Sequence, residues 1–274
     1  MKRAVLAPLL LTAHAGAFTV YEQHDFGQIT SSHYQPLLLW CDGPDRVIAV
    51  GQPSKPPLTL QDTVPVTRAF FLKSRPNDIT LSRYLLSYRG AGLGHQYFGF
   101  RPQGQKDSPD YYLQMSNILR AGAQYTFDEA YFQQGRRLDE CRYIMPKRDD
   151  LSEGTVFAGA SSKRSVFVQK LPNAKFEYRS FDYAGSTPIR NHTGTGMIGE
   201  FNTSPRGLVL RSGTRTAHAD GSLTYHFENG PYVYRVEVGP PSHPSAHVGV
   251  TKNGQTILNE PFRYYSDSRP KEQP

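Results

Sequence analysis

The run Leu223-Thr224-Tyr225-His226-Phe227-Glu228-Asn229-Gly230-Pro231-Tyr232-Val233-Tyr234-Arg235-Val236-Glu237-Val238 decides how this chain folds. Leu223, Tyr225 and Phe227 alternate with Thr224 and His226; after a break, Tyr232, Tyr234, Val236 and Val238 share one face while Arg235 and Glu237 take the other. A period of two belongs to a strand with one buried face. Asp220-Gly221, Asn229-Gly230 and Asn253-Gly254 punctuate the region, and these residue types tolerate the positive φ of tight hairpin turns. Asn253-Gly254 lies between Val248 to Lys252 and Gln255 to Leu258, the spacing of a two-residue hairpin. Consecutive hairpins form an antiparallel meander, so the C-terminal part is expected to be a compact all-β unit.

Working outward, Arg164 to Lys170 and Lys175 to Phe181 read as strands around a turn at Pro172-Asn173. Upstream, Leu37-Leu38-Leu39-Trp40-Cys41 leads through a turn at Asp42-Gly43-Pro44-Asp45 into the buried-type run Val47 to Val50. Val66 to Leu72, Leu81 to Tyr88, Gln96 to Phe100 and Tyr111 to Met115 are strand-like runs bounded by turn residues. Asp107-Ser108-Pro109-Asp110 reads as a loop. Thr126-Phe127-Asp128-Glu129 has the form of a helix capping box, although the aromatic alternation around it suits a strand equally. The expected fold is all-β with little helix, in two antiparallel sandwich- or barrel-like domains. A segment over 18–35 precedes a disulfide-closed domain over 36–145; a hairpin-meander domain covers 150–268, and a polar tail covers 269–274.

Composition agrees with that class. Of 274 residues, 24 are Gly and 21 Pro, and aromatics are dense with 17 Tyr and 15 Phe, which favours turns and strands over long helices. Lys2 and Arg3, the apolar run to Thr12 and the small-residue sites Ala13-His14-Ala15 and Ala15-Gly16-Ala17 have the layout of a secretory signal peptide over 1–17. An exported chain, periplasmic or extracellular, is expected. The formal charge of +7 is spread thinly, with no Lys/Arg cluster beyond two neighbours, so a nucleic-acid footprint is not expected. No later stretch has the length and apolarity of a membrane span. Cys41 and Cys141 are the two cysteines, and in an exported chain such a pair is expected to form a disulfide.

Catalytic and cofactor signatures fail on context. Gly194-Thr195-Gly196-Met197-Ile198-Gly199 matches G-x-G-x-x-G but lacks the strand before and helix after that place a pyrophosphate on a helix N-terminus. Gly90-Ala91-Gly92-Leu93-Gly94 reads as a turn, and Ser268-Arg269-Pro270-Lys271 spells S-x-x-K inside the expected tail. His243 and His247 are four apart, yet Pro240, Pro241 and Pro244 forbid the helix that spacing would need, leaving a loop with two solvated imidazoles. No cofactor and no metal are expected.

The segment Ala184 to Gly207 is a long Gly-, Ser-, Thr- and Asn-rich loop that carries Arg190, His192, Met197, Ile198 and Phe201. Loops of that length in compact domains are usually functional or disordered, so these five residues are the candidate partner-binding set. In kind alone, the chain is similar to exported all-β proteins that bind and block other proteins, such as periplasmic lysozyme inhibitors and immunity proteins against cell-wall toxins. The function expected is that of a non-catalytic binding protein, an inhibitor or immunity-type protein acting on a protein partner. The alternatives are a carbohydrate- or peptidoglycan-binding module, or a hydrolase whose site converges from distant residues.

Overall fold

A computed structural model describes residues 21–30, 32–42, 46–54, 62–92, 95–116, 154–171, 174–184 and 207–270, and residues 127–134 and 137–144 as backbone. Among the described residues there are eighteen strands and no helix: β1 (Tyr21–Gly27), β2 (Gln35–Asp42), β3 (Arg46–Gly51), β4 (Thr63–Leu72), β5 (Arg75–Gly92), β6 (His95–Pro102), β7 (Tyr111–Ser116), β8 (Phe127–Gln134), β9 (Arg137–Ile144), β10 (Gly154–Ala160), β11 (Arg164–Lys170), β12 (Phe176–Asp182), β13 (Leu208–Ala217), β14 (Leu223–Asn229), β15 (Tyr232–Val238), β16 (Ala246–Lys252), β17 (Gln255–Pro261) and β18 (Tyr264–Pro270). The chain is all-β, and its strands form one large antiparallel sheet.

Strands β2 to β9 pair in sequence order, each with the next. The series curls until the Cα atoms of β2 and β9 approach within 8 Å. Strands β10 to β17 pair likewise. The two series meet through the chain ends: β1 pairs with β2 at Phe26↔Pro36 and with β18 along its whole length, and β18 pairs with β10 from Phe157↔Asp267 to Ala160↔Tyr264.

Burial patterns follow from position in this arrangement. In β14 and β16 buried and half-buried residues alternate, Leu223, Tyr225 and Phe227 on one strand and Ala246, Val248 and Val250 on the other. In β10, β11 and β12 successive residues are buried, because a core lies on each face. One core gathers Trp40, Ile48, Phe71, Leu86, Phe100 and Leu113 of the first series together with Ala158, Ala160, Phe167, Phe181 and Tyr264. The other gathers Phe157, Val166, Val168, Tyr178, Tyr225, Phe227, Val236, Val248, Phe262 and Tyr265, with Phe26 from β1. Strands β1, β18, β10, β11 and β12 therefore form a wall between two cores.

Strand β13 belongs to both sides of a bend. It pairs with β12 up to Gly213 and with β14 from Thr214 onward. Ser212 takes φ 69° at the change of direction. A Cβ at Gly213 would stand 2.2 Å from Cε1 of Phe227, so only glycine lets the strand approach that ring.

Several expectations need correction. The capping-box segment, which suited a helix and a strand equally, runs into the strand β8, whose residues pair with β7 and β9. The hairpin between β14 and β15 has Gly230-Pro231 as its loop, since Asn229 still pairs with Tyr232. Gly230 takes φ 58°, which suits the first position of a type II′ turn, and the fixed φ of Pro231 suits the second. The Asn253-Gly254 hairpin follows its expected geometry, with φ 49° and 82° and Lys252 opposite Gln255. The polar tail begins later than Arg269, which sits in β18 opposite Glu22. The signal segment 1–17, the Pro172-Asn173 turn and the boundary near 145–153 lie outside the described residues.

Candidate functional site

The outer face of the β13–β17 sheet carries polar rows, because its other face is spent on the core. Register places Thr216, Thr224, Glu237, His247 and Pro261 in one cross-strand row, and Thr214, His226, Arg235 and Gly249 in the next. At the end of this face the β13–β14 and β15–β16 loops rise together. They bound an open cleft of about 960 Å³, lined by His218, Asp220 and Ser222 from one loop, Pro240, Ser242, His243 and Ser245 from the other, and Thr224, Glu237 and His247 from the strands.

Each loop is shaped by its own backbone and side-chain bonds. In the β13–β14 loop, His218 N–H donates to Ser222 O at 2.9 Å and Gly221 N–H donates to His218 O at 2.9 Å. Gly221 takes φ 83°, as the residue after a type I turn does in a bulged hairpin. Asp220 Oδ1 accepts the backbone N–H of Ser222 at 2.9 Å and its hydroxyl at 2.7 Å. These two bonds hold the exposed Asp220 carboxyl below its ordinary range, the Ser222 hydroxyl contributing most. In the β15–β16 loop, Gly239 N–H donates to Ser245 O at 2.8 Å and His243 N–H to Pro240 O at 2.9 Å.

The imidazoles are individually engaged. His247 Nε2 lies 2.8 Å from Glu237 Oε2, directly across the β15–β16 ladder. His218 Nε2 lies 2.9 Å from Thr224 Oγ1, and His243 Nδ1 lies 3.2 Å from Ser242 Oγ. His247 is thus a strand residue with a carboxylate partner, which corrects the reading of residues 243–247 as one solvated loop. Among the described residues, no three His, Cys, Asp or Glu side chains converge as a metal site would require.

Both loops are gripped from behind by one residue. Arg269 of β18 donates through Nη1 to the carbonyl of Gly221 and through Nη2 to the carbonyl of Gly239 at 2.6 Å. Its Nε bonds Asp267, whose side chain is 1% exposed. Burial pushes the Asp267 carboxyl up, and the Arg269 guanidinium opposes that shift. The guanidinium fork reaches one carboxylate and two carbonyls at once, a task a lysine ammonium performs poorly.

A second polar cluster is internal. Trp40 Nε1 donates to Ser266 Oγ at 2.7 Å, Ser266 Oγ donates to Asp25, and Gln23 Nε2 donates to the same carboxylate at 2.8 and 3.0 Å. Burial raises the Asp25 carboxyl to about 6 against the lowering effect of those bonds. This chain of bonds fastens β2 to the wall and is structural in character.

Arg190, His192, Met197, Ile198 and Phe201, the expected partner-binding set, lie outside the described residues, as does the G-x-G-x-x-G match. The described roots of their loop are Asp182 and Leu208, on paired strands where Ser180 faces Leu208. Those roots stand at the opposite end of β13 from the cleft. Cys41 is fully buried, and the Cys141 side chain lies outside the described residues. The Asp220-Gly221 turn was legible in the sequence, but the convergence of its loop with Glu237 and His247 was not. The signal that pointed there is the concentration of four of the nine histidines between residues 218 and 247. No family model matches the chain, and neither a curated protein nor a solved structure is found similar to it.

Proposed function

We propose that this chain is an exported, non-catalytic binding protein that holds or blocks a protein partner, and that the cleft between the β13–β14 and β15–β16 loops is one of its contact sites. The observation that carries the reading is the state of the cleft's polar groups. Ser222 gives its hydroxyl proton directly to Asp220, with no imidazole between them, so the relay that activates a serine nucleophile is missing. Asp220 is held ionised by its turn, so it is not kept protonated as the acid of a glycosidase must be, and Glu237 has its Oε2 2.8 Å from His247 Nε2. The two loops are tied to β18 by Arg269, and a pre-shaped surface loses little freedom on binding.

The carbohydrate reading draws less support. Stacking on sugars favours exposed Phe, Tyr or Trp rings, and the cleft lining among the described residues holds none of these. Among the residues whose side chains are described, Tyr97, at 38% exposure, is the one exposed Phe, Tyr or Trp. The Ala184–Gly207 loop, with Met197 and Ile198 at its centre, is proposed as a second contact at the other end of β13.

The test is capture of partners from the envelope fraction of the source organism by the immobilised mature chain, in parallel with sedimentation against purified peptidoglycan. A stoichiometric protein partner that His243→Gln/His247→Gln no longer captures supports the reading. Co-sedimentation with peptidoglycan and no protein partner favours the polymer-binding alternative. Capture unchanged by the cleft variants and abolished by Met197→Ser/Ile198→Ser moves the contact to the long loop.

A further inference from the structure

We propose that the cleft is an acid-activated site for a carboxylate-bearing segment of a protein; this rests on the binding reading above and names the chemistry of the ligand. Asp220 Oδ1 already accepts two hydrogen bonds from Ser222, and Glu237 Oε2 already lies against His247 Nε2. His218, His243 and His247 each engage one ring nitrogen, and the second has no partner among the described residues. The unspent capacity of the cleft is therefore three imidazole nitrogens.

Those nitrogens do not converge on a point, so a single metal ion is not their natural ligand. They are distributed around a space of about 960 Å³, which suits an extended ligand with several acceptors. Imidazole is the side chain whose ordinary range places its charge change between pH 5 and 8. With the three rings neutral, the cleft side chains carry the two negative charges of Asp220 and Glu237. With the three rings protonated, they carry one net positive charge and present three N–H donors. Arg269 is charged at both pH values and spends its donors behind the loops, on Asp267 and the carbonyls of Gly221 and Gly239. On the adjacent row, Arg235 adds a permanent positive charge, and His226 lies 3.3 Å from Glu228. Acidification thus reverses the sign of the site, from repelling carboxylates to binding them through charge-assisted hydrogen bonds.

The experiment uses the mature chain and fluorescein-labelled hexaglutamate, followed by anisotropy at pH 5.5 and pH 7.5 in low salt. Binding at least tenfold tighter at pH 5.5 is expected. His218→Gln/His243→Gln/His247→Gln should abolish the difference while thermal melting stays within a few degrees. Should that triple variant melt early, His243→Gln alone, on an exposed loop, is expected to reduce the pH 5.5 affinity severalfold. No binding at either pH, equal binding at both, or full pH dependence in the folded triple variant overturns the proposal. A native partner that still requires His243 and His247 while hexaglutamate fails to bind overturns the ligand class and leaves the binding function standing.

Discussion

Tyr264 and Tyr265 are adjacent in β18 and close two different cores. The Tyr264 ring stacks on Phe71 at 6.1 Å, within the core of the β2–β9 series. The Tyr265 ring packs against Phe26 at 5.6 Å and edge-on to Tyr34 at 5.4 Å, within the core of the β13–β17 series. Alternation along one strand therefore couples the two halves mechanically. Tyr264→Ala and Tyr265→Ala should each cost about 3–5 kcal/mol, the range for deleting a buried aromatic. Tyr264→Phe should be near neutral, because the Tyr264 hydroxyl is buried without a hydrogen-bond partner among the described residues. Urea unfolding checks all three, and a Tyr264→Ala loss below 1 kcal/mol would contradict the shared wall.

Asp25 should make stability depend on pH. Its folded-state value of about 6 lies above the ordinary 3.8, so the folded state binds this proton more tightly than the unfolded chain does. The contribution is fully present below about pH 4 and is lost as pH rises through 6; two units correspond to about 3 kcal/mol. Asp25→Asn keeps an acceptor for Ser266 and cannot ionise. The variant should match the parent near pH 3.5 and exceed its stability at pH 7.5 by up to that amount. Denaturant midpoints at both pH values measure it, and a variant that gains nothing at pH 7.5 refutes the assignment.

Arg269 should be needed for fold and cleft together. Arg269→Ala strands the buried Asp267 carboxylate, a loss of about 3–5 kcal/mol. Adding Asp267→Asn to that variant should recover part of the loss. Hydrogen exchange at the Gly221 and Gly239 amides, whose own carbonyls Arg269 holds, should accelerate in Arg269→Lys even where global stability is nearly kept. Unchanged exchange there would dissociate Arg269 from the loops.

The proposed Cys41–Cys141 bridge has support in the approach of β2 and β9 and in the full burial of Cys41. The chain-entropy model gives a loop of this length a stabilisation of up to about 4.7 kcal/mol. Thiol labelling of the unfolded, unreduced protein should find no free thiol, and reduction should lower the melting temperature. Two labelled thiols per chain in oxidising conditions would dispose of the bridge.

How far the sequence could be read differs by element. Period-two alternation in Leu223 to Phe227 identified β14 directly, because one face of that strand meets water. The positive-φ residues Asn253 and Gly254 located their hairpin, because that geometry is a property of two residues and their neighbours. The all-β class followed from many such local signals, each independent of partners far along the chain.

What the chain order of residues could not express is which surfaces meet. β10 and β18 are buried on both faces because each lies between two cores, and their pattern of consecutive buried residues has no periodicity to read. Arg269 looked like tail because its partners, Gly221 and Gly239, stand 48 and 30 residues away. The cleft is likewise a product of register: β14, β15 and β16 align Thr224, Glu237 and His247 across strands, and the loops at their ends bring His218 and His243 alongside. Local sequence determines turn and strand, since those depend on φ, ψ and the nearest side chains. Pairing partners and convergent sites are decided by the tertiary fold, since they depend on burying apolar faces that the chain supplies at distant positions.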